Sequence, residues 1–172
     1  NNYRNRGDGR VMSLGIEGYW IGIHDGDHRA FDIFKRHYSY RYRTGMTRGS
    51  KLFIGQGEKM VLLTQTCDAL FAWRLEAFPL DKQEGICCTI FRNEGKILSS
   101  VLIREAMELA WSRWGNRRLF TYVQPSKIKS INPGYCFKMA GWTNAGWSKG
   151  GKLILEAFPL EAKTIIEIEE IG

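Results

Sequence analysis

The sequence predicts one α/β (α+β) domain with a mixed, mostly antiparallel central sheet flanked by helices on both faces. Three short strand-like segments lie close together before residue 77, a spacing typical of antiparallel hairpins. The later strand-like segments instead alternate with helical ones. The chain has 172 residues, 44% of them hydrophobic, which suits one domain with a substantial core.

The N-terminal part begins with a polar segment rich in Asn, Arg and Gly, and we expect residues 1–12 to form a disordered basic arm. A single domain over residues 13–172 follows it. A strand is predicted over 18–24, and Asp27 is the predicted N-cap of a helix over 29–38, where apolar residues recur at helical spacing. Three further strands are predicted over 51–54, 59–64 and 69–76.

The C-terminal part begins with the almost wholly apolar segment 85–91, which is typical of a strand covered on both faces and predicts the sheet centre. A long helix is predicted from Ser99 or Ser100 to Gly115, then a strand over 119–123. A short helix should follow with Asn132 as its N-cap and Pro133 at its first position. A final strand pair is predicted within 142–158.

Hydropathy and cysteine spacing bear on location. No segment approaches the roughly 20 apolar residues of a membrane span, and the polar start is unlike a secretory signal, so we expect a soluble, cytoplasmic protein. The four cysteines form neither a CxxC pair nor a zinc-module spacing, which favours reduced, mostly buried thiols. They are Cys67, Cys87, Cys88 and Cys136.

Positive charge is concentrated in two segments, although the formal net charge is only +7. Residues 1–50 contain nine Lys or Arg against five acids, and residues 92–138 contain nine against three. If the two segments meet in space, they form a patch that attracts phosphates, and DNA or another polyanion is then the expected partner. A solvated basic surface that aids solubility is the alternative interpretation.

Several side chains are candidates for binding nucleic acid. Four arginines alternate with tyrosines between residues 36 and 48, which combines phosphate-pairing charge with rings that can stack on a base. Two lysines ahead of the short helix extend this predicted surface; a solvated loop explains the same pattern. The predicted nucleic-acid-binding residues are Arg36, Arg41, Arg43, Arg48, Lys127 and Lys129.

Two histidine-containing segments are candidates for chemistry. His37, Tyr38 and Ser39 can supply a general base and a proton relay, because an unshifted imidazole titrates near neutral pH. A histidine at the edge of the core is the alternative. Residues 24–28 read His-Asp-Gly-Asp-His, a set that suits zinc or iron, but a turn with Asp27 as N-cap explains the same residues more simply, and no metal site is predicted.

The order of elements over residues 18–158 resembles the GNAT (Gcn5-related N-acetyltransferase) fold. The resemblance is carried by Phe91-Arg-Asn-Glu-Gly with Ser99-Ser, by Leu119-Phe-Thr-Tyr-Val, and by Asn132-Pro-Gly-Tyr-Cys-Phe-Lys-Met-Ala-Gly-Trp142. Together with Arg36-His-Tyr-Ser39, this block is similar to uncharacterised phage proteins of GNAT type and to the phage Mu Mom group, which modifies DNA adenine.

The resemblance implies an acyl-CoA donor, acetyl-CoA or another. Its pyrophosphate would lie at the start of the Ser99 helix, where unpaired N–H groups and the helix dipole favour anions. Its pantetheine arm would lie where the central strand and the strand from Leu119 separate. The implied cofactor-binding residues are Phe91, Arg92, Asn93, Gly95, Lys96, Ser99, Ser100 and Asn132.

The resemblance also implies a function: a phage-type transferase that modifies DNA bases or a nucleotide-linked amine, acting in the host cytoplasm. The family's general-acid tyrosine position is Phe137 here, and Tyr135 is the nearby candidate. The loop from Arg92 to Ser100 contains one glycine where the family usually has more. A catalytically silent, nucleic-acid-binding module and a small-molecule N-acetyltransferase are therefore the alternatives.

Overall fold

The computed structural model describes residues 18–40, 52–77, 79 and 82–160. In this part of the chain seven strands and three α-helices follow one another, with a short 3-10 turn at Pro125–Lys127. They are β1 Trp20–Ile23, α1 His28–Phe34, β2 Glu58–Thr64, β3 Ala69–Leu75, β4 Ile86–Asn93, α2 Ser99–Trp114, β5 Leu119–Val123, α3 Tyr135–Met139, β6 Thr143–Trp147 and β7 Leu153–Ala157. The predicted arm over residues 1–12 lies outside the described residues.

The strands form one open seven-stranded sheet in the order β1-β2-β3-β4-β5-β7-β6. All neighbouring pairs are antiparallel except β4 and β5, which run parallel. The long connection through α2 is what permits this parallel pair, because parallel strands need a crossover. The predicted mixed, mostly antiparallel sheet is confirmed, and so is the central position of β4.

Helices cover both faces of the sheet, as predicted. Alternate residues of β2 separate the two cores: Val61 and Leu63 pack on the α1 side, whereas Met60 and Leu62 pack on the other side. Ala30 and Ile33 anchor α1 in the smaller core. The larger core contains the apolar stripe of α2 and residues of α3.

Helix α2 is held to the sheet by its apolar stripe and by two tryptophans. Trp20 of β1 and Trp73 of β3 donate their indole N–H groups to the carbonyl oxygens of Leu102, at 2.8 Å, and of Ala106, at 2.9 Å. Both indoles are buried, so each needs such a partner. The helix ends at Gly115, whose φ of 78° lies in the left-handed region.

The predicted strand over 51–54 is wrong for residues 52–54, which form no strand. The cause is Asp25, a carboxylate that accepts from the backbone N–H groups of Phe53, at 2.9 Å, and of Ile54, at 3.3 and 3.4 Å. Lys59 pairs with the same carboxylate at 2.9 Å. Donors that satisfy a carboxylate are not available to a neighbouring strand.

The first and last helices are shorter than predicted. Helix α1 ends at Phe34, and the next N–H groups bond three residues back, Arg36 to Ile33 and His37 to Phe34, so the chain tightens into turns. Asp27 is confirmed as the N-cap of α1, since its side chain accepts from the Arg29 N–H.

Asn132 does not cap α3, and Pro133 is not in the helix, contrary to prediction. Gly134 precedes the helix with φ 75° and ψ 17°, a left-handed conformation that breaks the helical path ahead of Tyr135. The Asn132 side-chain oxygen instead accepts from the Lys138 ammonium at 2.7 Å.

Among the residues described, no helix has the length and apolar character needed to cross a membrane.

Candidate functional site

The parallel strands β4 and β5 separate along their length. Pairing runs from Ile86 with Leu119 to Cys88 with Thr121 and then stops, although β4 continues to Asn93 and β5 to Val123. At this point the register between β3 and β4 also shifts, which leaves Thr89 as an extra residue. Such a bulge bends a strand, so the bend coincides with the start of the opening.

A cavity of about 350 Å³ occupies this opening. Its walls come from both strands and from segments on both faces of the sheet. The turn after α1 supplies the wall on one face, and the start of α3 supplies the wall on the other. The lining is mostly apolar and aromatic, as in small-molecule sites. The lining residues are His37, Tyr38, Thr89, Ile90, Phe91, Thr121, Tyr122, Val123, Ile128, Ser130, Asn132, Gly134, Tyr135, Cys136 and Phe137.

His37 is buried at the α1 side of the cavity and is held at both ring nitrogens. The Ser39 N–H donates to Nδ1 at 3.2 Å, and the Ser39 hydroxyl lies 2.7 Å from the same atom. Nδ1 is therefore the acceptor of a neutral ring, and Nε2 carries the proton that bonds the Phe91 backbone. Burial, as the larger cause, and the positive charge of Arg92 together lower the pKa of His37 to about 4.

This geometry defines what His37 can do chemically. A neutral imidazole with Nδ1 facing the Ser39 hydroxyl can receive a proton through that hydroxyl, and Ser39 itself is exposed. The predicted relay therefore has one of its contacts in place. The low pKa means that the base form is present throughout the neutral range.

Tyr38 stacks against His37 and reaches across to β5. The two rings lie 4.4 Å apart at an angle of 30°, and the Tyr38 hydroxyl donates to the Tyr122 carbonyl oxygen at 3.4 Å. Burial raises the pKa of Tyr38, and a backbone hydrogen bond from Gln124 opposes that shift. Tyr38 thus bridges the mouth of the cleft and keeps its proton at neutral pH.

Helix α3 forms the opposite wall. Tyr135 lines the cavity but is 55% exposed, so it lies at the rim. Phe137 is buried, with its ring 4.9 Å from that of Trp142 and 5.8 Å from that of Phe91. Burial raises the pKa of the Cys136 thiol, which keeps it protonated.

The remaining predicted cofactor residues lie at the end of β4, in the loop after it and at the start of α2, and none of them lines the cavity. Asn93 shapes this loop: its amide donates to the Ile97 carbonyl at 2.7 Å and to the Ser99 hydroxyl at 3.0 Å, and its oxygen accepts from the Gly95 N–H at 2.9 Å. Gly95 lies against Asp68 so closely that a Cβ atom would come within 2.4 Å of its carboxylate. Arg92, Lys96 and Ser100 complete the set.

The Glu94 carboxylate forms ion pairs with two of the arginines that were predicted to bind ligands. Its carboxylate accepts twice from Arg36, at 2.8 Å each, and from Arg92 at 2.5 Å. These bonds, first those from Arg36, lower the pKa of Glu94 to about 2. The two basic segments of the sequence therefore meet at an acid.

The other predicted nucleic-acid residues are only partly described. Lys127 and Lys129 are exposed beside the cavity residue Ile128. Arg41, Arg43 and Arg48 lie outside the described residues. Whether the basic surface is continuous therefore stays a prediction.

Five predicted site residues do come together, namely His37, Tyr38, Phe91, Asn132 and Tyr135. The other ten lining residues were not predicted as site residues, although six of them lie within the segments that carry the resemblance, because most are apolar or small side chains with no chemical signal of their own. The available signal was positional, since the ends of the two central strands were already expected to separate. Thr121, whose hydroxyl donates to the Cys88 carbonyl at 2.9 Å, marks the last rung before the opening.

None of the four cysteines, all of which lie within the described residues, forms a disulfide. Cys87 and Cys88 are buried, whereas Cys67 and Cys136 are half-buried. Within the described ranges, no group of three or more His, Cys, Asp or Glu side chains is arranged to hold a metal ion.

The site defines, at the coarse level, a mixed α/β domain with a cleft between two parallel central strands. Comparison with protein-family models, with curated proteins and with solved structures gives no match to this chain.

Proposed function

We propose that the chain is a GNAT-like transferase of phage type that modifies DNA bases or a nucleotide-linked amine, with acetyl-CoA or another acyl-CoA as donor. The observation that carries the proposal is the cleft where β4 and β5 part, because its cavity of about 350 Å³ is mostly apolar and is lined by segments from both faces of the sheet. We propose that a narrow apolar arm enters along one face and that an acceptor approaches from the other.

Side chains and backbone groups around the cleft would hold the donor, which supplies an activated acyl group. Phe91, Val123 and Phe137 would pack against the pantetheine arm, and the edge of β4 that β5 no longer pairs beyond Cys88 would orient it. The α2 N-terminus, whose cap residue Leu98 gives no side-chain bond, leaves N–H groups for phosphates.

Proton transfer would use the α1 side of the cleft. As the acceptor amine forms its bond, its proton would pass to the Ser39 hydroxyl while Ser39 passes its own to His37 Nδ1, across the 2.7 Å contact. Tyr38 and Tyr135, which line the cavity, are the candidates to protonate the leaving group. Arg36, Lys127 and Lys129 would pair with nucleic-acid phosphates.

Calorimetry with acetyl-CoA tests the donor. We expect the wild-type protein to bind and Cys136→Trp, which fills the cavity, to weaken binding by about tenfold. Met139→Trp is the matched control, since Met139 is on the same helix, 54% exposed and outside the cavity lining. If Cys136→Trp does not fold, Ser130→Trp replaces it. Absence of binding by a folded wild-type protein would overturn the donor assignment.

Mass spectrometry of nucleosides tests the acceptor. DNA from cells that express the wild-type chain should contain a modified nucleoside, and cells that express His37→Gln at equal abundance should lack it. An unchanged nucleoside profile with folded, abundant wild-type protein contradicts DNA modification.

A catalytically silent nucleic-acid-binding module is the second candidate. It is favoured by Phe137, which stands where the resembled family places a tyrosine and is packed between Phe91 and Trp142 without a hydroxyl. The ion pair between Glu94 and Arg92 also favours it, because the resemblance assigns Arg92 to the cofactor. Binding of DNA without binding of acetyl-CoA would select this module.

A further inference from the structure

The Glu94 carboxylate joins two arginines that come from distant parts of the chain. Arg36 follows α1, and Arg92 belongs to β4 next to the loop that carries Glu94. We propose that the two guanidinium groups form a phosphate site and that Glu94 occupies it as an internal latch, which a phosphate group displaces. The proposed function already assigns Arg36 to nucleic-acid phosphates; the latch adds a second arginine and an acid that competes for both, and it needs no transfer reaction.

The contacts match those that a phosphate would make. Arg36 uses Nε and one terminal nitrogen on the two carboxylate oxygens, both at 2.8 Å, while Arg92 uses Nε. This fork geometry suits carboxylate and phosphate alike, and a phosphate offers one more acceptor oxygen. The Glu94 carboxylate thus lies where we propose that a phosphate binds, between the two guanidinium groups.

Exposure makes exchange feasible. The side chains of Arg36 and Arg92 are 50% and 33% exposed, so a phosphate in solution can reach the same donors. The Glu94 backbone is fixed separately, because its N–H donates to the Asp68 carbonyl at 2.8 Å. The side chain can therefore swing away while the loop keeps its path.

The surrounding charges explain why a latch would be needed. Two guanidiniums near the buried, neutral His37 would repel each other without an anion between them. Asp32 adds a more distant negative charge near Arg36, and the Asp68 carboxylate lies against Gly95 and near Glu94. Among the described residues, Glu94 is the acid that contacts both guanidinium groups directly.

Titration with inorganic pyrophosphate tests the site. Glu94→Gln keeps the shape of the side chain and removes its charge, so we expect pyrophosphate to bind about fivefold more tightly than to the wild-type protein at low salt. Glu108→Gln removes the same charge from an exposed position on α2 and should leave the affinity nearly unchanged. Adding Arg36→Gln or Arg92→Gln to Glu94→Gln should abolish the gain.

Unchanged or weaker pyrophosphate binding by folded Glu94→Gln overturns the latch. If that variant does not fold, Glu94→Asp takes its place, because the shorter side chain should hold the arginines less well and give a smaller gain. A gain measured with acetyl-CoA but not with a short oligothymidylate assigns the phosphate to the donor, and the reverse assigns it to nucleic acid; either result supports the site. Acetyl-CoA binding that ignores Glu94→Gln, with no pyrophosphate gain, rejects the latch while leaving the proposed function standing.

Discussion

The buried imidazole of His37 has a structural role as well as its proposed chemical one. It bonds Ser39 on one side and the Phe91 backbone on the other, and so ties the turn after α1 to the central strand. Because burial penalises the charged ring most, its neutrality is a condition of the fold. Catalysis and core packing are alternative roles for this residue in the sequence, and its buried position beside the cavity is compatible with both.

Stability should therefore depend on pH through His37. The unfolded ring titrates near 6.5 and the folded one near 4, so the unfolded state binds the extra proton between these values and stability falls as pH falls through that window. At roughly 1.4 kcal/mol per pKa unit, the full loss is about 3 kcal/mol. Above pH 6.5 this contribution is fully present.

Urea unfolding from pH 7 to pH 4 measures this dependence. His37→Asn should flatten the slope of stability against pH relative to the wild-type protein, whatever it does to absolute stability. His24→Asn, at an exposed histidine, should keep the wild-type slope. Equal slopes for His37→Asn and the wild-type protein would contradict a neutral, buried His37.

At the scale of elements, the start of α3 depends on one glycine. Gly134 combines a φ of 75° with close packing, since a Cβ atom would lie 2.4 Å from a methyl carbon of Leu155. Gly141, just after the same helix, has a φ of 95° with nothing within 4 Å of such an atom. The pair separates backbone strain from steric conflict.

Substitution by alanine should reveal that difference in thermal or urea unfolding. Both Gly134→Ala and Gly141→Ala should lose about 1 kcal/mol from the left-handed backbone. Gly134→Ala should lose a further 1 to 3 kcal/mol, roughly, because Leu155 is fully buried and cannot easily move. Equal losses for the two variants would mean that the Gly134 contact is relieved by a small shift.

The elements that sequence predicted well are those with strong local signals. An almost wholly apolar segment predicted β4, and an apolar stripe at helical spacing predicted α2. Asp27 caps α1, as its position suggests. The errors came from long-range bonds: Asp25 takes N–H groups 28 and 29 residues away, which no local pattern reveals. Gly134 was overlooked because Asn132 and Pro133 also make a plausible helix start.

At the scale of the whole molecule, the candidate site is a product of topology. Its walls come from β4, β5, the turn after α1 and the start of α3, which span residues 37 to 137. Residue types could nominate His37, Tyr38 and Tyr135, but only the parallel pairing and its early end create the cavity between them. The apolar majority of the lining had no signal of its own in the sequence.

At this scale, fewer positively charged side chains are available to a binding partner than the formal net charge of +7 suggests. Seven Lys or Arg side chains in the described structure form direct ion pairs with Asp or Glu, among them Arg36, Arg92 and Arg118. Lys127 and Lys129 are exposed and lie near the cavity mouth instead. If nucleic acid is the partner, these two lysines should contribute more to binding than the ion-paired arginines do in the latched state.

The salt dependence of single-stranded DNA binding measures this contribution. Each phosphate paired with a lysine adds about 0.7 to the slope of log affinity against log salt, so Lys127→Ala and Lys129→Ala should each lower that slope by about this amount. Lys149→Ala is the matched control, because Lys149 is an exposed lysine in the turn between β6 and β7, outside the cavity lining. Equal slopes for all three variants and the wild-type protein would place the DNA-binding surface elsewhere on the chain. A reduced slope for the first two alone would place the phosphate backbone beside Ile128, at the cavity that His37 also lines.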